Sequence, residues 1–265
     1  MAHTYWHKQT AVTPLYPDLV WSRPEHKSQA GKLLVVGGNV HGFAAPASAY
    51  IEAQKAGAGS TRVLLPVSVK KLLPKGFFET EFAPSTPSGS FSQQALAELQ
   101  QHALWADSVL LAGDFGRNSE TAVLLERFAA TYSGRLTIAK DTADYFLHNP
   151  QSLLKRTETT LVISFAQLQK LAVEAKFTKA FTFDMDFLRL IDMLHEFSSM
   201  YAPYIIVKHL ETIFVAVKGQ ITTTMLAHDP AVWRVAAAAH AAVWWMQNSS
   251  KPLEALTTSC LQRQS

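Results

Sequence analysis

Short apolar segments alternate with segments of helical periodicity along most of the chain. The clearest apolar segments are residues 33–36, 108–112, 136–139 and 161–163, and a helical pattern follows each of them. Parallel strands need a crossover connection, usually a helix, and they are commonly buried on both faces. This alternation therefore predicts an α/β protein with a mostly parallel sheet and helices on both of its faces.

The pattern changes toward the C-terminal end, where three extended segments follow one another at residues 204–207, 212–217 and 220–225. Lys218-Gly219 separates the last two segments with the two-residue spacing of a β-hairpin. We therefore expect antiparallel strands at one edge of the sheet.

The first thirty residues are set apart by prolines at positions 14, 17 and 24. This spacing predicts an extended N-terminal arm over residues 1–30 that lies on the domain or on a neighbouring chain. The rest of the sequence has no linker and no repeat of fixed period, so residues 31–265 are predicted to form a single domain. A chain of 265 residues that is 48% hydrophobic has enough apolar side chains for one large core.

The charge and cysteine content excludes several classes of protein. The 24 Lys and Arg residues nearly balance the 21 Asp and Glu residues and form no basic cluster, so no nucleic-acid partner is expected. The lone Cys260 excludes an intrachain disulfide framework and a cysteine-based zinc site. The longest apolar stretch, residues 232–246, is shorter than the ~20 residues of a membrane span. With no signal-type apolar stretch at its start either, we expect a cytoplasmic protein that binds no membrane.

A final apolar helix is predicted over residues 231–247, with a short tail after it. Its Trp244 and Trp245 are expected in the core or at a subunit interface. Only 17% of the residues are charged, which is low for a fully solvated surface. Together with the N-terminal arm, these features predict a homo-oligomer.

A glycine-rich turn, Gly37-Gly38-Asn39, follows directly after the first apolar segment. Glycines at this position let the backbone approach a ligand, and N–H groups before a helix attract anions. The turn matches neither a dinucleotide-binding fingerprint nor a Walker A loop, because Asn39 and Phe43 stand where those motifs need Gly and Lys. A tight strand-to-helix turn without a ligand explains the same residues.

A second glycine-containing loop, with Gly113, Asp114 and Gly116, follows the segment at residues 108–112. Ligands of open parallel sheets lie beyond the carboxyl ends of the strands. We therefore expect this loop to face the same crevice as Gly37-Gly38, although an ordinary connecting loop is an equal alternative.

Charged residues follow two further predicted strands. Asp141 and Asp144 come after residues 136–139, where a carboxylate pair could hold a metal or a ribose hydroxyl. The alternative is that Asp141 caps the next helix. Lys208 ends the segment at residues 204–207, where it could meet a phosphate or lie in solvent.

Several of these segments, in this order, resemble the ADP/ATP-dependent NAD(P)H-hydrate dehydratases of the ribokinase-like superfamily. Residues 23–27 (RPEHK) and 31–39 (GKLLVVGGN) are similar to the family's opening R-x-x-x-H-K-G-x-x-G-x-x-x-V-x-G-G-S. The similarity continues through residues 56–59 (AGAG), and residues 113–117 (GDFGR) resemble the family's G-P-G-L-G loop. Asp141 is similar to the first acid of D-A-D-A-L, and residues 205–208 (IIVK) resemble V-V-L-K-G.

The resemblance implies a ribokinase-like three-layer sandwich with a mostly parallel sheet, helices on both faces and antiparallel edge strands. It also implies ATP or ADP with Mg²⁺ as cofactor and NAD(P)H hydrate as substrate. In the family reaction the hydroxyl of the hydrate is phosphorylated, and loss of phosphate regenerates NAD(P)H. The nucleotide- or substrate-binding residues implied here are Gly37, Gly38, Asn39, Gly113, Asp114, Gly116, Asp141 and Lys208, and no residue is predicted to ligate a metal directly.

The chain departs from the family at the positions that carry the chemistry. The family's G-T-G-D motif, whose Asp is the base, aligns with residues 231–234, which places Arg234 at the position of the base. Asp229 lies five residues earlier and is a possible substitute. Ser164 and Gln167 stand where the family has His and Glu, and His209 follows Lys208 where the family has Gly.

These departures favour a degenerate homologue with little or no turnover, because a guanidinium cannot accept the proton of the hydroxyl. Such a chain would act as a binding or structural subunit. The alternative is an active dehydratase or small-molecule kinase with a rebuilt site.

Overall fold

Ten strands form one sheet in this computed structural model, which describes residues 3–10, 13–74, 76, 78–225 and 233–261. The strands are β1 (Trp6–Gln9), β2 (Lys32–Gly37), β3 (Ser60–Pro66), β4 (Thr80–Ala83), β5 (Ser108–Gly113), β6 (Arg135–Ala139), β7 (Thr159–Ile163), β8 (Tyr204–His209), β9 (Thr212–Val217) and β10 (Gln220–Met225). Their order across the sheet is β1-β10-β9-β8-β7-β6-β5-β2-β3-β4. The seven strands from β8 to β4 are parallel, whereas β9 is antiparallel to both of its neighbours.

Helices cover both faces of this sheet. They are α1 (Pro17–Trp21), α2 (Ala44–Lys55), α3 (Leu96–Trp105), α4 (Ser119–Thr131), α5 (Thr142–Leu147), α6 (Gln151–Lys155), α7 (Phe165–Glu174), α8 (Phe187–Met200), α9 (Trp233–Gln247) and α10 (Pro252–Ser259). The helices α1, α2, α9 and α10 pack on one face, and α3 to α8 pack on the other. The predicted α/β class, with a mostly parallel sheet between two helical layers, is confirmed.

The central strands are apolar along their whole length because both of their faces are buried. In β2, Leu34 and Val36 point into the core on the α3–α8 face, and Leu33 and Val35 point into the core on the α2–α9 face. All four side chains are at most 1% exposed. Burying such a side chain stabilises the fold by roughly 1.5–3 kcal/mol.

The N-terminal segment, which was expected to be an extended arm, contains β1 and α1 and packs against other described parts of the same chain. β1 pairs in parallel with β10, and the side chain of Gln9 is fully buried. Its Nε2 donates to Thr224 Oγ1 at 3.1 Å and to Thr257 O at 2.9 Å. β1 therefore forms the outermost strand, next to the antiparallel strands β9 and β10 that the sequence predicted at this end of the sheet.

The C-terminal helix α9 packs within the chain. Trp244 and Trp245 are fully buried, with the guanidinium carbon of Arg23 4.9 Å from the ring centre of Trp244. The ring of Tyr204 lies 5.3 Å from that of Trp245. Both tryptophans therefore belong to the core and not to a subunit interface. The short tail predicted after α9 includes a further helix, α10, whose Leu256 enters the same core.

None of the helices in the described ranges combines the length and the apolar character that crossing a membrane requires.

Candidate functional site

The loops after β2 and β5 meet at the carboxyl edge of the sheet, as the sequence predicted. Gly38 N donates to Gly113 O at 3.0 Å, and Asn39 Nδ2 donates to Asp114 O at 2.5 Å. A Cβ added to Gly37 would lie 2.3 Å from Gly113 O, so this close approach requires glycine. Gly116 lies beside Asn39, and a Cβ on it would be 3.4 Å from Asn39 Nδ2. The two loops are therefore in contact at this edge, but their glycines and Asn39 are not among the residues that line the pocket described below.

The backbone turns sharply at the ends of β5 and β6. Asp114 and Lys140 both have a left-handed conformation, with φ of 61° and 56°. Few residues other than glycine adopt this region, and each costs of order 1–3 kcal/mol in backbone strain. Such strain persists where surrounding contacts stabilise the strained conformation. Here the side chains of Asp114 and Lys140 both take part in these contacts.

The Asp114 carboxylate connects three elements. Its Oδ2 accepts a hydrogen bond from Ala45 N, in the first turn of α2, at 2.7 Å. Its Oδ1 forms an ion pair with Lys140 Nζ. Phe43, at the N-cap of α2, supplies no side-chain capping hydrogen bond. The side chain of Asp114, which follows β5, caps the helix instead.

The two carboxylates after β6 have separate partners. Asp141 Oδ1 accepts from Asp114 N at 2.9 Å, and it makes no side-chain hydrogen bond to the helix that follows it. The alternative that Asp141 caps α5 with its side chain is therefore wrong. Asp144 Oδ1 accepts from Gln167 Nε2 at 2.9 Å. In the described part of the chain, no three His, Cys, Asp or Glu side chains are grouped to hold a metal.

Ser164 and Gln167 form the start of α7. The Ser164 hydroxyl accepts from Gln167 N at 3.2 Å, and Ser164 N donates to Gln167 Oε1 at 3.0 Å, which is a capping box. Gln167 Oε1 also accepts from Arg234 Nη1 at 3.1 Å. The side chain of Gln167 therefore fixes the position of Arg234 relative to α7.

A pocket of about 370 Å³ opens between the first turns of α2 and α9. It is lined by Ala44, Ala45, Ser48, Lys140, Trp233, Arg234 and Val235. Among these residues there are two cations, Lys140 and Arg234, and no carboxylate. The lining is therefore suited to an anionic group. Asp229 and residues 231–232 lie outside the described residues.

Lys208 and His209 end β8, next to the end of β7. Val207 pairs with Ile163, so Lys208 lies at the same carboxyl edge of the sheet as Ser164. The His209 ring lies 4.5 Å from the ring of Phe165 and 5.0 Å from that of Phe183. Burial lowers the pKa of His209, so it packs as a neutral aromatic ring where the resemblance has glycine.

Three solved structures relate this fold to known proteins. A ribokinase-like superfamily protein from Enterococcus faecalis superposes on 99% of this chain and 88% of its own, with a TM-score of 0.71 and 14% identity. The fold is ribokinase-like. Bacillus subtilis YxkO, a member of the UPF0031 family, has a TM-score of 0.60 at 11% identity and covers 94% of this chain and 86% of its own.

The ADP/ATP-dependent NAD(P)H-hydrate dehydratase from Bacillus subtilis, co-crystallised with ATP and Mg²⁺, has the same coverage and identity with a TM-score of 0.58. No protein-family model and no curated protein matches this chain by sequence. The ribokinase-like neighbours therefore share a fold with this chain at identities of 11–14%.

One residue that lines the pocket, Lys140, and one that contacts a lining residue, Gln167, were missed in the sequence. Lys140 follows β6 directly, so the rule that selected Asp141 at this strand end applied to it as well. Gln167 was noted only as a departure from a motif. Its contact with Arg234 spans 67 residues, and no local pattern signals such a contact.

Proposed function

We propose that this ribokinase-fold protein binds a small anionic ligand, such as a phosphorylated metabolite or nucleotide, in the pocket between α2 and α9. We further propose that it does not convert NAD(P)H hydrate. The observation that carries both statements is the position of Arg234. It lines the pocket at the start of α9, and its side chain donates to the neutral Gln167 Oε1.

A guanidinium supports binding but not the family reaction. It presents several fixed donors to a phosphate or carboxylate. It remains protonated at neutral pH and cannot take a proton from a hydroxyl. Loss of a general base typically costs 10²–10⁴-fold in rate. Asp114, Asp141 and Asp144 are nearby carboxylates, but each is engaged by a protein donor.

The described residues do not fit a protein-held Mg²⁺. The carboxylate pair after β6 does not converge, because Asp141 accepts from Asp114 N and Asp144 accepts from Gln167. We therefore assign no step to a metal. The dehydratase of the same fold was co-crystallised with ATP and Mg²⁺, so ATP and ADP are the first nucleotides to test here.

We also propose that the protein is cytoplasmic and forms a homo-oligomer. Cys260 is buried and its thiol donates to Leu256 O at 3.4 Å, which is compatible with a reducing compartment. Trp21 and Leu104 are 87% and 88% exposed, and such side chains can pack against a second copy. Sedimentation of the purified protein as a monomer at micromolar concentration would contradict the oligomer.

Two measurements test the proposed function. Calorimetric titration with inorganic phosphate, ADP and ATP is expected to show phosphate binding that falls at least about tenfold in Arg234→Gln. The matched control is Arg127→Gln, because Arg127 is exposed on α4 in the opposite layer. Incubation of NADH hydrate with ADP or ATP and Mg²⁺ is expected to give no recovery of NADH absorbance. Turnover in that assay would favour an active dehydratase or kinase with a rebuilt site, with Asp229 as the candidate base.

A further inference from the structure

The Asp114 carboxylate occupies the place where an anion would meet two donors of the pocket at once. Ala45 N, in the first turn of the twelve-residue helix α2, points at Asp114 Oδ2 from 2.7 Å. Lys140 Nζ pairs with Asp114 Oδ1. Ala45 and Lys140 both line the pocket. A helix N-terminus and an ammonium are the groups that ordinarily bind a phosphate.

Asp114 is held in this position through its backbone as well as through its side chain. Its backbone N–H donates to Asp141 Oδ1 at 2.9 Å, and its φ of 61° directs the loop back toward α2. Its side chain is only 15% exposed. A ligand that competes for Lys140 must therefore displace a partly buried and fully hydrogen-bonded carboxylate.

The opposite wall of the pocket differs in charge. Arg234 donates to Gln167 Oε1, which is neutral, and it forms no ion pair within the described residues. The pocket therefore has one cation that is already neutralised, Lys140, and one whose charge is not balanced by a described carboxylate, Arg234.

We propose that Asp114 is a built-in counter-ion of Lys140, so that the pocket binds one phosphate or carboxylate group of its ligand, through Arg234, whatever further charge the ligand carries. A second phosphate would approach Lys140 and meet the charge of Asp114, so polyphosphates gain nothing from their extra charge. This inference rests on the proposed function and deepens it by naming the ligand class.

The decisive variant is Asp114→Asn. The amide oxygen still accepts from Ala45 N, and asparagine tolerates a positive φ, so the cap and the turn persist while the charge disappears. The matched control is Asp107→Asn, which removes the same charge just before the amino end of β5 and keeps an acceptor for Lys32 N.

The probes are inorganic phosphate and pyrophosphate, titrated calorimetrically without metal. In the wild type and in Asp107→Asn, the two affinities are expected to agree within about threefold, since the second phosphate finds no further unpaired cation among the described residues that line the pocket. In Asp114→Asn, the pyrophosphate-to-phosphate affinity ratio is expected to rise at least about tenfold, because Lys140 becomes available.

The results separate this inference from the proposed function. If phosphate binds through Arg234 and the ratio in Asp114→Asn stays at its wild-type value, the counter-ion role is overturned and anion binding stands. If the wild type binds neither probe and only Asp114→Asn binds them, the proposed function fails, and the inference that rests on it fails as well. If no form of the protein binds either probe, both are overturned.

A second variant serves if the unpaired charge of Lys140 in Asp114→Asn prevents folding. The double variant Asp114→Asn with Lys140→Met removes both charges of the ion pair and leaves the net charge unchanged. It is expected to bind phosphate as the wild type does. A loss of more than about fivefold would show that Lys140 holds the single phosphate, which contradicts the proposal.

Discussion

His240 Nε2 lies 3.1 Å from Glu52 Oε2, which places a histidine–carboxylate contact between α9 and α2. The His240 side chain is 4% exposed and that of Glu52 21%. Lys55 also donates to Glu52, at 2.7 Å. The contact therefore ties together the two helices whose first turns form the walls of the pocket.

This contact predicts a loss of stability in acid. Burial alone would raise the pKa of Glu52, but the hydrogen bonds and charges of Lys55 and His240 bring it below the ordinary glutamate value of 4.5. A depressed carboxyl pKa stabilises the fold above the unfolded-state pKa, and this contribution disappears as the pH falls through the folded-state pKa. Urea unfolding of the wild type is expected to show this loss below about pH 4.5.

Glu52→Gln is the matched variant for that measurement, because it keeps the shape and removes the titrating group. Its unfolding free energy is expected to depend less on pH over the same acidic range. An unchanged pH dependence in Glu52→Gln would show that Glu52 does not carry the effect.

The approach of β2 to the end of β5 predicts that Gly37→Ala is destabilising. The new Cβ would lie 2.3 Å from Gly113 O, so the two strand ends would have to separate. Overpacking of this kind typically costs about 1–3 kcal/mol. Gly42→Ala is the control, because a Cβ there has no heavy atom within 4 Å. Equal unfolding free energies for the two variants would contradict the close contact.

The strands that could be predicted from the sequence are those buried on both faces. β2, β5, β6 and β7 carry continuous apolar runs, because each contacts a helical layer on either side. β4 was not predicted, since three of its four residues are partly exposed and it has no such run. β1 was missed for a related reason. Its sequence, WHKQ, has no apolar run, and the strand is defined by its backbone pairing with β10.

From the sequence, only those contacts of the site could be predicted that follow from where the parallel strands end. The meeting of Gly38 with Gly113 follows from the rule that parallel strands end at one edge. The contact of Asp114 with α2 joins residues 69 apart, and it depends on the φ of 61° that turns the loop toward that helix. Neither the angle nor the partner has a local sequence signal, so Asp114 was predicted as a ligand-binding residue and not as a helix cap.

The contact between Tyr5 and Asp192 predicts an unusual tyrosine titration. The Tyr5 hydroxyl donates to Asp192 Oδ1 at 2.5 Å, and this hydrogen bond, with smaller effects of burial and nearby carboxylates, raises the pKa of Tyr5 to about 12. Asp192→Asn is expected to bring the pKa of Tyr5 back toward 10.0. Absorbance titration in the phenolate band measures the change, and Tyr5→Phe identifies the group. The same titration curve for wild type and Asp192→Asn would contradict this assignment.

The same contact predicts that the protein loses stability at alkaline pH. A tyrosine whose pKa is raised by folding stabilises the protein fully below its unfolded-state pKa, and this contribution is lost as the pH rises through the folded-state value. The contact joins the N-terminal segment to α8, so alkaline pH is expected to release β1 first. Hydrogen exchange at Trp6 and His7, which precede the buried Gln9 in β1, is expected to accelerate above pH 10 in the wild type, beyond the intrinsic dependence on hydroxide.

Restoring a single acid at the start of α9 is not expected to restore the reaction of the hydrate dehydratases. Arg234→Asp would remove the cation that donates to Gln167 and replace it with a shorter, negatively charged side chain. Trp233 would still line the pocket where the resemblance has a small glycine-bearing turn, so its bulk would keep a phosphoryl group from the helix N-terminus. We therefore expect neither the wild type nor Arg234→Asp to convert NADH hydrate with ADP or ATP and Mg²⁺. Arg234→Asp is also expected to lose phosphate binding, and the calorimetric titration with inorganic phosphate measures this loss. Recovery of NADH absorbance at ~1 s⁻¹ or faster in the wild type would show that another residue acts as the base.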